Sequence, residues 1–542
     1  MSLPETQNDA KALPDAWDYK GRPSLRSSSG GWASGAMILG VEAVERLTTL
    51  GIAVNLVTYL TGTMHLGNAT AANNVTNFLG TSFMLTLLGG FIADTFLGRY
   101  LTIGIFATVQ AIGVTILTIS TIIPSLRPPK CEQGSSSCIP ANGKQLMVLY
   151  IALYMTALGT GGLKSSVSGF GTDQFDDSNE KEKGQMIKFF DWFFFFINVG
   201  SLGAVTILVY VQDNLGREWG YGICACAIVV ALVLFLFGTR KYRFKKLVGS
   251  PLTQIASVFV AAWRNRHMEL PSDSSLLYEI DDNVFGEGHK KRKQKLPHSK
   301  EFRFLDKAAI KEDGLESNVV NKWKLSTLTD VEEVKLLFRM LPTWATTIMF
   351  WTTYAQMTTF SVSQATTMDR HIGKSFEIPP ASLTAFFVGS ILLTVIFYDR
   401  VIVPICRRFA NKRHGLTPLQ RIFIGLILSI IAMIASALTE VKRLNVAHLN
   451  GLTNDPNATI PLSRMSKSSI LVTIVHMVTG TKHPWIADNL NQGKLHDFYW
   501  LLAILSVLNL MVFLYTSKTY VYKEKRLAEM GIELEDSGPV CH

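Results

Sequence analysis

The stretch SGAMILGVEAVERLTTLGIAVNLVTYLTG, residues 34–62, decides the fold. It is long and apolar enough to cross the roughly 30 Å hydrocarbon core of a bilayer, which takes about 20 residues of helix. Three ionisable side chains, Glu42, Glu45 and Arg46, nevertheless sit inside it. Spacings of three and four put them on one helical face. An ionisable group within a membrane costs several kcal/mol unless it is paired or hydrated, so the cluster marks either a functional site or a static ion-pair network.

Working outward, segments of the same kind recur near 74–97, 100–123, 146–168, 189–211, 219–238, 341–364, 380–404, 418–440 and 498–516. Ten spans make an all-α integral membrane protein whose termini lie on one side. The composition agrees: 48% of the 542 residues are hydrophobic and only 17% are charged, against about 25% charged in soluble domains. Six cysteines in this length exclude a disulfide scaffold. The first 29 residues are polar and of mixed charge, with no apolar centre or small-residue cleavage site, so the first span is expected to be uncleaved.

The net charge of +10 reads as loop charge rather than a nucleic-acid footprint. Arg240, Lys241, Arg243, Lys245, Lys246 and the run HKKRKQK (289–295) fall in the long connection 239–340. Arg407, Arg408, Lys412 and Arg413 follow the eighth span, and Lys518, Lys523, Lys525 and Arg526 follow the last. All lie on one face if the N-terminus is cytosolic. Lys442, Arg443, Arg464 and Lys467 are a local exception on the other face. That opposite face carries two glycosylation sequons, at Asn68 and Asn457. Cys131 and Cys138 share one of its loops, where a disulfide is permitted. Expected regions are therefore a cytosolic segment 1–30, a six-helix bundle 31–238, a cytosolic linker 239–340 with amphipathic helices, a second bundle 341–516 and a cytosolic tail 517–542. Within the linker, Thr329-Asp330-Val331-Glu332 reads as a capping box.

Lys164, in GTGGLKSS (159–166), lies near the middle of the fourth span. Two carboxylates, an arginine and a lysine facing one another across a bundle would rebond when one carboxylate takes a proton, which is what a proton-coupled carrier requires. A second motif, Gly90, Asp94, Gly98 and Arg99 around FIADTFLGRY, ends the second span; Gly90 permits close helix approach and Asp94 and Arg99 form charged contacts across a gate. Enzyme signatures are not found in the loops. No metal or cofactor is expected.

These segments carry a resemblance. DAWDYKGRP, EAVERLTTLGIAVNLVTYL, FIADTFLGRY, GTGGLKSSVSGFGTDQFD, FFDWFFFFINVGSL, FRFLDKAAI, LPTWATTIMFW, YDRVIVP, HGLTPLQRI, HPWIADNLNQGKL and DFYWLLA occur in order from about Asp15 to Leu527. The chain resembles the plant nitrate/peptide transporter family, the proton-dependent oligopeptide branch of the major facilitators, and within it is most similar to the dual-affinity nitrate subgroup. The resemblance implies two six-helix bundles, alternating access, residence in the plasma membrane, and proton symport of nitrate, peptides or other small solutes. Glu42, Glu45, Arg46 and Lys164 match its proton-coupling positions. Tyr354 stands where the subgroup has an anion-meeting histidine, with Gln356 and Thr358 nearby and Val54 and Leu79 at apolar cavity positions. A phenol offers one neutral O–H where a histidine can be charged, so nitrate binding is expected to be weaker and chloride becomes a candidate. Thr102 matches a switch threonine whose phosphate, added by a protein kinase, would loosen the bundles; otherwise it is an ordinary helix-start threonine. The resemblance also leaves association into homo- or hetero-oligomers open.

The family has twelve spans and this chain ten. After Pro461-Leu462-Ser463 the sequence passes almost directly to what resembles the outer end of an eleventh helix, an internal gap of roughly forty to fifty residues against family length. The leading expectation is a proton-coupled importer of nitrate or a related small anion. The alternatives are a truncated, non-transporting or regulatory form of such a carrier, and a carrier of di- or tripeptides or another small solute.

Overall fold

In the computed structural model, residues 12–129, 139–176, 179–245, 249–271, 276–279, 296–311, 321, 323–372, 376–410, 416–451, 460–461 and 493–520 are described. All ten expected spans contain helix. The first six are α1 (Gly31–Gly62), α2 (Asn68–Ile92), α3 (Gly98–Ile122), α4 (Gly143–Thr172), α5 (Glu180–Gly203) and α6 (Arg217–Phe237). α5 runs on through one wider, π-type turn, Ala204–Leu208, into Val209–Asn214. Beyond a linker helix, α7 (Pro251–Arg264), come α8 (Leu328–Thr366), α9 (Thr384–Phe397), α10 (Pro418–Leu449) and α11 (Leu495–Thr519). α9 continues through another π-type turn, Tyr398–Ile402, into Val403–Ala410.

Among the described residues, six stretches are long and apolar enough to cross a membrane: 68–122, 143–172, 181–214, 217–240, 418–449 and 495–518. The first of these holds both α2 and α3, separated at Gly98, whose φ of +74° is a turn conformation that a Cβ would strain. α1 reaches the required length but carries its charge cluster at mid-helix. Large side chains such as Met84, Leu87, Ile207 and Phe237 stand 63–79% exposed along the helices. In water they would be a liability; against lipid tails they are the expected outer surface.

The chain divides into two units. One comprises Met1–Lys246 with Phe350–Val507, the other Leu247–Met349 with Leu508–Val540. In the first, an antiparallel sheet joins the N-terminal strand β1 (Ala12–Trp17) to β2 (Pro23–Leu25) and to β3 (Phe244–Lys245), pairing Trp17 with both Pro23 and Phe244. The bundle core is apolar and aromatic: Ile52, Leu56, Phe78 and Leu117 in one cluster, Phe170, Phe175, Phe189 and Phe235 in another. The GTGG segment is a packing surface. A Cβ on Gly159 would lie 2.4 Å from the Gln110 Cβ, and one on Gly162 would lie 2.1 Å from the Phe106 ring.

In the second unit, α7 packs on a short 3₁₀ segment, Arg303–Ala309, and on the start of α8. Lys335 is fully buried there, 2.5 Å from Asp306 and 2.8 Å from Glu332. The expected capping box is displaced. Thr327 Oγ1 accepts from the Asp330 amide (3.1 Å), while Thr329 is tied to Glu279 (2.9 and 2.7 Å) and Glu332 to Lys335. α8 thus begins thirteen residues before the expected span, because its first turns belong to the linker core.

Candidate functional site

The charge cluster on α1 is assembled by the helix itself. Arg46 Nε donates to Glu42 Oε1 at 2.8 Å and lies 3.4 Å from Glu45 Oε2. Glu42 and Glu45 are 1% and 0% exposed, while Arg46 keeps 27% of its side-chain surface. Thr49 on the same helix holds Glu45 and is itself tied to two neighbouring helices. Thr49 Oγ1 donates to its Oε1 (2.8 Å), Thr49 and Thr160 share a hydrogen bond of 2.9 Å, and Gln110 Nε2 donates to both threonines at 3.3 and 3.1 Å. Thr49, Gln110 and Thr160 were not singled out from the sequence, since nothing in their spacing links three helices.

Lys164 behaves differently from the expectation. It feels the charges of Glu45, Arg46 and Glu42, but among the described residues it forms no ion pair. Its ammonium instead lies 4.4 Å from the centre of the Phe83 ring, a cation–π contact. From Phe83 an aromatic wall continues through Trp351 (6.2 Å), Tyr354 (5.6 Å) and Phe387 (5.4 Å), and Tyr354 also feels the Arg46 charge. Gln356 is half-buried one turn-fragment further on, and the Thr358 side chain lies outside the described residues. Val54 is closed into an apolar layer with Val205, Val209, Val362 and Ala381, and Leu79 packs on the bundle core with Ile52 and Phe78. Neither joins the charged cluster directly.

The gate residues find other partners than those read from the motif. Asp94 and Arg99 are 3.9 Å apart, at the limit of an ion pair. The firm contact of Arg99 is Asp173, at 2.8 Å, supported by the Gly169 carbonyl at 3.0 Å, and Asp173 also meets Lys245 at 3.6 Å. Burial pushes the Asp173 carboxyl above the usual carboxylate range, with Arg99 and then Lys245 pulling against it. Close helix approach belongs to Gly89 rather than Gly90: a Cβ on Gly89 would lie 2.7 Å from the Gly162 Cα, one on Gly90 only 3.7 Å from Ser165. Thr102 is 0% exposed and donates to the Gly98 carbonyl at 2.9 Å, so a kinase could not reach it in this conformation.

Arg443, expected in an outer loop, is instead fully buried in α10 and grips Glu440 with two bonds of 2.7 Å. Gln364 donates to Glu440 (2.6 Å) and Arg443 to Thr367 (3.0 Å), so this pair ties α10 to the end of α8. Beyond the C-terminal part of α1 lies a cavity of about 470 Å³ lined by Thr58, Gln212, Asp213, Arg217, Arg370 and Glu377. Its charges are matched locally, Arg217 to Asp213 at 2.8 Å and Arg370 to Glu377 at 2.5 Å. Asn68 is the first residue of α2, whereas Asn457, Cys131, Cys138 and the Ser463–Arg464 junction lie outside the described residues.

Long apolar helices around a buried acid–base cluster define an integral, multi-pass membrane carrier rather than an enzyme. Comparison with known proteins narrows the class. Residues 100–506 match the profile of the POT family (PTR2). The chain is 61% identical to Protein NRT1/ PTR FAMILY 6.3 of Arabidopsis thaliana, over 100% of both chains, and 50% identical to Protein NRT1/ PTR FAMILY 6.2 of the same plant, over 93% of this chain and 94% of the other. The chain belongs to the POT family. The alignment with the first relative has 592 positions, about fifty more than this chain has residues, in keeping with an internal gap. The fold is shared with an auto-inhibited POT family peptide transporter (TM-score 0.53, 19% identity, 92% of each chain). It is shared equally with the POT family transporter PepTSo (TM-score 0.52, 21% identity, 93% and 94% covered).

Proposed function

We propose that this chain imports a small solute bearing an anionic group, with Glu42, Glu45 and Arg46 as the proton-responsive switch and Lys164 as the first cation the solute meets. The coarser class, a proton-coupled transporter of the POT family, is the frame for this reading. The observation that carries it is the unequal state of two cations. Arg46 is held by two buried carboxylates, while Lys164 faces an aromatic ring with no ion pair among the described residues. A proton on Glu42 or Glu45 releases part of the Arg46 charge. Two cations then face the solute, and binding of the proton favours binding of the anionic group.

Two substrate classes fit. A small peptide is the fuller match: its carboxylate suits Lys164, its ammonium suits the carboxylates, and its side chains suit the wall of Phe83, Trp351, Tyr354 and Phe387. Nitrate or chloride, the leading expectation from the sequence, ranks second, supported by the likeness to a relative named NRT1/ PTR FAMILY 6.3 and held back by a neutral phenol at Tyr354. The cytosolic termini, plasma-membrane residence, phosphorylation of Thr102 during a conformation that exposes it, and any oligomer belong to the same proposal.

Uptake into proteoliposomes, acidic outside and alkaline inside, tests it. Labelled dialanine is expected to accumulate with the pH gradient, with nitrate a weak competitor, and Lys164→Ala is expected to lower uptake at least tenfold. Strong nitrate uptake with no dialanine uptake would reverse the ranking. Silence toward both, cured by inserting the roughly fifty residues by which this chain falls short of its alignment with the first relative, would establish the non-transporting reading instead.

A further inference from the structure

Gln110 of α3 is fully buried in the middle of the bundle. Its amide nitrogen donates to Thr49 of α1 at 3.3 Å and to Thr160 of α4 at 3.1 Å, while its carbonyl oxygen Oε1 finds no partner among the described residues. A buried carbonyl left unpaired destabilises the fold, so this orientation of the amide calls for a reason. Glycines set the distance. A Cβ on Gly159 of α4 would fall 2.4 Å from the Gln110 Cβ, and one on Gly113 of α3 would fall 2.7 Å from the Thr156 nitrogen. That close approach of α3 and α4 lets one amide reach hydroxyls on two other helices.

Counting donors fixes the direction of the chain. An ionised Glu45 can only accept, and its Oε1 takes the Thr49 hydroxyl proton at 2.8 Å. With its hydrogen so used, Thr49 accepts across the 2.9 Å bond, and Thr160 is the donor there. Thr160 accepts in turn from Gln110, whose two N–H groups serve both threonines. A threonine that turned its hydrogen back toward Gln110 would meet an N–H. We propose that Gln110, Thr160 and Thr49 form a one-way hydrogen-bond relay that sets how readily Glu45 takes its proton, with Gln110 the positioning residue that holds its direction. Every dipole in the relay points its positive end at the carboxylate. A bond to a carboxylate is about twice as strong as one to a neutral acceptor, and aligned bonds polarise one another, so the relay favours the charged form. The unpaired Oε1 follows, since both donors of the amide face inward. The other groups around Glu45 are Arg46 at 3.4 Å and Glu42 on α1, and Lys164 on α4, which feels its charge. α3 has no titratable side chain between Leu101 and Ile122, Asp191 of α5 is exposed, Cys224 of α6 is a buried thiol, and Tyr354 of α8 feels Arg46. The inference rests on Glu45 being a proton-responsive carboxylate and adds the side chains that tune it.

Infrared difference spectra of the full chain in lipid, recorded as the pH is lowered, follow the carbonyl stretch of Glu45 as it is protonated. Its band is the one missing in Glu45→Gln. Thr49→Val removes the direct donor; it should raise the midpoint of the band by about 0.7 of a pH unit, a roughly fivefold tighter hold on the proton, and move the band to higher frequency. Gln110→Met keeps the length of the side chain but frees the hydroxyls among about three staggered positions, which should raise the midpoint by about 0.5, or threefold. Thr160→Val should act like Gln110→Met, and Thr160→Ser should keep the original midpoint. Because Gln110→Met also removes the unpaired oxygen, the chain should unfold at the same or a higher concentration of denaturing detergent. A glutamine that only packs α3 against α4 gives the reverse, lower stability with the band unmoved, and that result would overturn the proposal. If Glu45→Gln removed no band, Glu45 would leave the switch and the relay would fall with it. A Glu45 band whose midpoint is the same in every variant would overturn the relay alone. The readout needs no solute, so it is independent of whether and what the chain transports.

Discussion

Replacing Arg46 by methionine is the sharpest probe of the cluster on α1. The substitution keeps the length and apolar stem of the side chain and removes its charge, which leaves Glu42 and Glu45 at 1% and 0% exposure without the cation 2.8 and 3.4 Å away. Breaking a buried pair by removing one partner costs about 3–5 kcal/mol, because the remaining charge stays desolvated. Glu42→Gln should cost far less, about 1 kcal/mol, since Arg46 keeps Glu45 and the glutamine still accepts a hydrogen bond. Combined, the two changes should be milder than Arg46→Met alone: one stranded carboxylate is gone, and Glu45 still holds its Thr49 bond of 2.8 Å. The expected coupling is about 2 kcal/mol, read as the non-additivity of unfolding free energies from denaturing-detergent titration in mixed micelles at pH 7.5. If Arg46→Met proved as mild as a surface change, or the double variant were simply the sum of the two, the carboxylates would not be held by Arg46 and the switch assigned to them would fall.

Three further outcomes follow from the same geometry. Gly159→Ala and Gly162→Ala force a Cβ to 2.4 and 2.1 Å from neighbouring side chains and should each cost about 1–3 kcal/mol, while Gly90→Ala, with 3.7 Å of room, should be nearly neutral in the same titration. Asp173, just past the end of α4, has its carboxyl raised by burial, so the folded chain holds that proton more tightly than the unfolded one; its contribution to stability grows as pH falls through the raised value and is lost as pH rises. Asp173→Asn should therefore flatten the stability–pH profile at the acidic side of neutral while loosening Arg99, seen as greater labelling of a cysteine placed at the gate. Tyr354→His should shift competition toward nitrate, measured as a lower nitrate concentration for half-inhibition of pH-driven uptake; an unchanged value would remove Tyr354 from the substrate path.

What the sequence determined by itself is what the backbone fixes locally. An apolar run of twenty or more residues must become a helix in lipid, because no other open structure satisfies its amides there, and each of the ten expected spans contains helix. Spacings of three and four set Glu42, Glu45 and Arg46 side by side for the same reason. What it could not determine was every pairing across helices. Arg99 lies five residues from Asp94 yet bonds Asp173, which is 74 residues away; Gly89, not its neighbour, meets α4; Arg443, assigned with Lys442 to an outer loop, is sealed in α10 with Glu440. Lys164 leans on Phe83 where a carboxylate was expected, and Thr102 is shut away. Each of these depends on how far two helices are rotated about their axes. A turn of 100° per residue moves a side chain to a new neighbour, and only the packing of whole helices against one another sets that angle.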